Sequence, residues 1–175
     1  MRKTALTFGI ISGLILSAEM FATLPFLHKV GQGKALIIGY TAMVLAGLLV
    51  FFGIRTYRDN FSGGRLTFAR AFAVGILISL IANFFYVATW EFIYHNFMPD
   101  FAEKYAVQMV EGAKSSGASQ QKIDQTAREA DQFVRNYHNP AYNIGMTFIE
   151  VFPVFLLITL ISAAILRRKP LPASA

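Results

Sequence analysis

The chain has 175 residues, of which 55% are hydrophobic and only 15% charged, a balance displaced from soluble usage toward a single membrane domain. Its net charge of +6 would suit nucleic acid if the basic residues shared one soluble face, but most of them bracket apolar segments, which excludes that class in favour of membrane topology. There is no cysteine, so disulfides, thiolate nucleophiles and cysteine-based metal sites are excluded as well.

Arg2 and Lys3 precede an uncharged run from Thr4 to Ala18 that resumes after Glu19 as far as Leu27. A cleavable signal would be cut after Ala18, but Leu16 three residues before that point is a poor small-residue match, so a retained first membrane helix over 4–27 is expected. Ala5, Gly9, Gly13 and Ser17 recur every four residues and make one side small enough for a neighbouring backbone, within the same chain rather than a second copy. A glycine-containing loop, His28 to Lys34, leads to a second span over 35–54, where Gly39, Ala46 and Gly53 repeat every seven residues as another small-residue seam.

From Gly53 the sequence reads as a short basic loop carrying Arg55, Arg58, Arg65 and Arg70, with Gly63-Gly64 at its turn, feeding a third span over 68–95. That span ends in Tyr86, Trp90 and Tyr94, the aromatic grading of a helix that reaches a membrane interface. Ala71, Gly75 and Ser79 line one face, and Asn83 continues it, where its amide is expected to bond to a partner helix. Charges of both signs then crowd residues 96–139. Asp100 to Glu111 and Ser119 to Tyr137 read as helices, broken at Ser115 to Ser119, and together predict an amphipathic hairpin. A fourth span over 142–166 closes with Arg167, Arg168 and Lys169, and residues 170–175 form a flexible tail.

The expected fold is therefore all-α: a four-helix integral membrane bundle over residues 1–169 with an extracytoplasmic helical hairpin, 96–139, between helices 3 and 4. The N-terminus, the loop of four arginines and the C-terminus place nine positive residues on short flanks of one side. The other side holds seven, five of them in the long loop beside six acids, so both termini are expected in the cytoplasm.

The runs GIRTYRDNFSGGRLTFARAFAVGILIS, YVATWEFIY and FIEVFPVFLLITLISAAILRRK also carry a likeness. They resemble the bacterial inner-membrane proteins grouped as domain of unknown function 4199, over nearly the whole chain and least distinctively over 96–139. The resemblance implies a four-helix bacterial membrane protein and supplies no catalytic residues.

Three glutamates, Glu19, Glu91 and Glu150, lie in or beside apolar helices, where an ionised carboxylate costs about 2.5–3.5 kcal/mol and is usually inward-facing and functional. At ~1.5 Å per residue Glu19 lies ~24 Å from Lys3 and Glu150 ~25 Å from Arg167, so the two fall in one layer; Glu91 lies ~31 Å from Arg70. Pro153 cannot donate to the carbonyl of Ile149, which leaves a free acceptor beside Glu150. Facing each other, Glu19 and Glu150 would make a proton or small-cation site; apart, each would be a structural link to a group such as Tyr40, Asn83 or Thr147. His28, His95 and His138 match no metal-site spacing, and no Ser-x-x-Lys, His-Glu-x-x-His or Gly-x-Ser-x-Gly occurs. No cofactor is expected. Arg55, Arg58, Arg65 and Arg70 are candidates for anionic lipid headgroups. The functional expectation is a non-enzymatic inner-membrane module that engages lipids and a membrane-protein partner or second copy, set against a proton- or cation-linked transport component.

Overall fold

A computed structural model describes residues 1–24 and 32–168, with side chains from residue 37 onward in the second segment. The predicted 28–34 loop with His28, the last residues of the first span, Lys169 and the 170–175 tail lie outside the described residues. Among the described residues six helices follow in order: α1 Arg2–Thr23, α2 Gln32–Phe61, α3 Phe68–Phe97, α4 Phe101–Ser115, α5 Gln120–Tyr137 and α6 Pro140–Leu166. Among them α1, α3, α6 and the stretch Ile37–Phe61 of α2 are long and apolar enough to cross a membrane. The chain folds as two compact units, one of residues 1–89 with 148–175, the other of residues 90–147.

The first unit is built from close helix contacts. Lipid is as apolar as leucine, so the association of such helices rests on packing and on hydrogen bonds between them. A Cβ on Gly9 would stand 2.7 Å from that of Ile81, and one on Gly13 would stand 2.6 Å from that of Phe85, so the small stripe of α1 seats α3 within the chain. Ser12 donates to the carbonyl of Ala46 at 2.8 Å, and the Ser17 and Thr89 hydroxyls meet at 2.7 Å. Ser79 and Thr159 pair at 2.9 Å beside Gly75, whose missing side chain lets α6 approach α3. Each such bond between membrane helices is worth about 0.6 kcal/mol. Ala46 and Gly53 are buried as the seven-residue seam requires, but a Cβ on Gly39 would meet no described residue within 4 Å, so among the described residues the seam does not extend that far.

The largest departure from expectation is at the end of α2. The basic loop expected from Gly53 is helical to Phe61, so Arg55 and Arg58 stand on a helix. Residues 55–62 contain no glycine or proline, and Asp59 one turn after Arg55 supports the helix as an i,i+4 partner. The chain turns only where Gly63 (φ 58°) and Gly64 (φ 76°) adopt the left-handed conformation, and the Gly64 N–H closes on the Arg58 carbonyl at 3.0 Å. Beyond the turn Leu66 and Arg168 exchange both backbone hydrogen bonds, at 3.2 and 2.8 Å, tying the end of α6 to the start of α3.

The second unit is held by aromatic rings. Trp90 donates its indole N–H to the Tyr137 hydroxyl at 2.8 Å and to Asn143 Oδ1 at 3.3 Å, and packs edge-on to Phe101 with centroids 4.8 Å apart. Tyr137 also touches Tyr94, Phe101 and Phe133, while Tyr105 against Phe133 joins α4 to α5. Gly117 (φ 71°) makes the break between these two helices, and Ser119 caps α5 by accepting the Lys122 N–H at 3.4 Å.

Candidate functional site: a basic rim and the intramembrane carboxyls

The basic ends of the first unit converge. A Cβ on Gly53 would touch Phe8 and Ile78, and one on Gly75 would touch Ile54 and Thr159, so these residues of α1, α2, α3 and α6 share one layer. Arg2, Lys3, Arg55, Arg58, Arg65, Arg70, Arg167 and Arg168 all lie from that layer toward the same end, within roughly 15 Å along the helices.

The arginines at this end do not act alike. Arg58 grips Asp59 with Nε at 2.7 Å and Nη2 at 3.2 Å, and Arg55 Nε stands 3.7 Å from the same carboxylate. Arg168 also acts on it through space. Arg65 and Arg70 form no ion pair among the described residues. Both are exposed, and both line a cavity of about 230 Å³ with Tyr57, Phe61, Ser62, Leu66 and Thr67. The Leu66–Arg168 bridge shapes this wall. In extended backbone, side chains alternate, so buried Leu66 turns inward while Arg65 and Thr67 turn out. The Thr67 hydroxyl accepts the Arg70 N–H at 3.4 Å, which leaves its own proton for a ligand. Four arginines equal in the sequence are thus divided by one aspartate. Asp59 was visible at the i,i+4 position from Arg55, but Tyr57, Ser62, Thr67 and the clamp at Arg168 carry no sequence signal for this role.

Glu19 and Glu150 both lie in the first unit. Tyr86, a buried residue of α3, is the side chain that acts on the Glu150 carboxyl, and no bond from Glu150 to Tyr40, Asn83 or Thr147 is present among the described residues. Tyr40 is 46% exposed, and the Thr147 hydroxyl donates to the Asn143 carbonyl. Glu19 is half-buried, and its carboxyl makes no hydrogen bond or ion pair with a described residue. Pro153 lies inside α6, on the same exposed flank as Glu150. Asn83 is fully buried, and the expected bond to a partner helix is not formed: both amide atoms lack a hydrogen bond among the described residues. Ser79, one turn away, is already engaged with Thr159.

In the second unit Glu91 sits beside His95, whose Nδ1–H donates to the Glu91 carbonyl at 2.9 Å with the carboxylate 3.8 Å away, while Glu91 Oε1 is buried without a partner. His138 donates from Nε2 to Glu103 at 2.9 Å, linking α4 to the residue that follows α5. No three of the described His, Asp and Glu residues gather as metal ligands.

Comparison with curated proteins and with solved structures returns no match. The model of the family described as Protein of unknown function (DUF4199) matches residues 7–168, nearly the whole chain, and the chain therefore belongs to that family.

Proposed function

We propose that this protein is a non-enzymatic module of the bacterial inner membrane that engages anionic lipid through its basic end, with both termini in the cytoplasm. The observation that carries the reading is the gathering of eight described cationic side chains at one end of the first unit, against one carboxylate, Asp59. Excess Lys and Arg on short flanks marks the cytoplasmic side, and each such residue near an anionic leaflet contributes about 1 kcal/mol. The outward faces of the spanning helices are apolar, with Leu45, Phe52, Phe84 and Ile165 all at least 48% exposed, as lipid contact requires.

The test is the lipid that stays with the protein. Purified mildly from a membrane of known composition, the chain is expected to retain anionic phospholipid at about twofold or more above its bulk fraction, and to lose that excess as salt is raised, because exposed charges are screened over about 8–10 Å at moderate ionic strength. Lipid mass spectrometry showing the bulk composition at low salt would contradict the reading.

A further inference from the structure

We propose that the cavity between α2 and α3 is a binding site for the phosphate of an anionic lipid headgroup, held by Arg65 and Arg70 with the hydroxyls of Ser62 and Thr67. The inference rests on the lipid-engaging reading above and goes further, assigning the contact to one site instead of a diffuse basic surface.

Four observations converge on it. The first is the division of the arginines: Asp59 takes Arg58 in two hydrogen bonds and Arg55 as an ion pair, whereas Arg65 and Arg70 have no acid among the described residues. A guanidinium without a carboxylate, facing a cavity, presents its fork of donors to a ligand oxygen, and charge-assisted bonds of this kind are about twice as strong as neutral ones. The second is the donor set, since the Thr67 hydroxyl keeps its proton after accepting the Arg70 N–H and Ser62 is half-buried in the same wall. Every polar side chain lining the cavity can donate, and none is an acid.

The third is size. At about 230 Å³ the cavity falls below the roughly 300–1,000 Å³ of sites that enclose whole drug-sized ligands, so it admits a headgroup and leaves the rest of the molecule outside. The fourth is exposed aromatic surface. Phe61 lines the cavity yet is 62% exposed, and Phe68, which follows the lining residue Thr67 in sequence, is 39% exposed. Exposed rings at the ends of spanning helices suit the headgroup level of a bilayer, where an acyl chain would pass them. A soluble phosphomonoester would use the arginines and leave these rings without a role. The wall is also pre-shaped: the left-handed Gly63-Gly64 turn and the two hydrogen bonds between Leu66 and Arg168 set the backbone before any ligand arrives.

The experiment uses the full chain in zwitterionic nanodiscs, titrated with dioctanoyl phosphatidic acid or dioctanoyl phosphatidylglycerol and read by native mass spectrometry. The R65Q/R70Q double variant is expected to weaken binding about tenfold or more, and R55Q/R58Q, which removes the same charge from the Asp59 side, to change it by less than about threefold. Equal weakening by both doubles would overturn the site while leaving the lipid-engaging reading intact, because a diffuse basic surface responds to charge alone. Absence of any preference for anionic lipid in the wild type would sink both. Displacement of the lipid by inorganic phosphate or glycerol 3-phosphate at equal concentration would overturn the lipid source in favour of a soluble phosphomonoester. Circular dichroism and size-exclusion profiles matching the wild type establish that each double variant is folded, and the wild-type lipid preference is read without any variant.

Discussion

Gly9→Ala and Gly13→Ala should each destabilise the first unit by about 1–3 kcal/mol, whereas Gly39→Ala should leave it unchanged or stabilise it by about 0.5–1 kcal/mol. All three substitutions exchange the same atoms within apolar helices, so helix propensity alone would favour alanine at each. The difference lies in what the new methyl meets. At Gly9 it would stand 2.7 Å from Ile81 Cβ and 3.1 Å from the Ile78 carbonyl, and at Gly13 it would stand 2.6 Å from Phe85 Cβ. These atoms are fixed to the α3 backbone and cannot swing aside as the end of a long side chain would, so the two helices must separate. Separation also strains the Ser17–Thr89 bond between the same two helices, which is therefore not independent of the clash. At Gly39 the new methyl would meet no described residue within 4 Å. Thermal unfolding in detergent, followed by circular dichroism, reads all three; a Gly9 or Gly13 variant as stable as the Gly39 variant would show that α1 does not pack closely on α3.

Tyr137→Ala should cost the second unit about 3–5 kcal/mol, by the cavity left when a buried aromatic side chain is truncated. Tyr137 is 6% exposed and touches the rings of Tyr94, Phe101 and Phe133, so its removal opens the centre of the cluster. Tyr137→Phe keeps the ring and removes only the hydroxyl that accepts the Trp90 indole N–H; it should cost about 0.5–1.5 kcal/mol, since Asn143 remains as a longer acceptor at 3.3 Å. Trp90 is the chain's single tryptophan, so its fluorescence reports this unit alone. The expected result is a large shift of the Trp90 transition in Tyr137→Ala and a small one in Tyr137→Phe; equal shifts would mean that the hydroxyl, not the ring packing, holds the cluster.

Much of the architecture was legible because it follows from periodic features. Four apolar runs bounded by charge mark the spanning helices, and the Ala5-Gly9-Gly13-Ser17 stripe identifies the face that α3 meets. The end of α2 departs from expectation because arginines and a following Gly-Gly pair have the composition of a loop, while a helix persists until a residue with positive φ interrupts it, here Gly63. The candidate site was legible only as charge. Which arginines are neutralised depends on side-chain reach around Asp59, and the cavity depends on backbone pairing between Leu66 and Arg168, more than 100 residues apart. The carboxyls show the same limit: counting residues gives Glu19 and Glu150 similar depths, but helix rotation, which counting does not supply, decides their neighbours, and no sequence signal singled out Tyr86 beside Glu150.

Engagement of the cytoplasmic leaflet requires the basic end to lie on that side of the membrane, and single-cysteine labelling decides this on a background that contains no cysteine. Asn60, near the end of α2, and Ser116, at the break between α4 and α5, are both exposed. With an impermeant maleimide on spheroplasts, Ser116→Cys is expected to react before lysis and Asn60→Cys only after it. Reaction of Asn60→Cys on intact spheroplasts, with Ser116→Cys protected, would put the arginines outside and contradict the proposed engagement of the cytoplasmic leaflet.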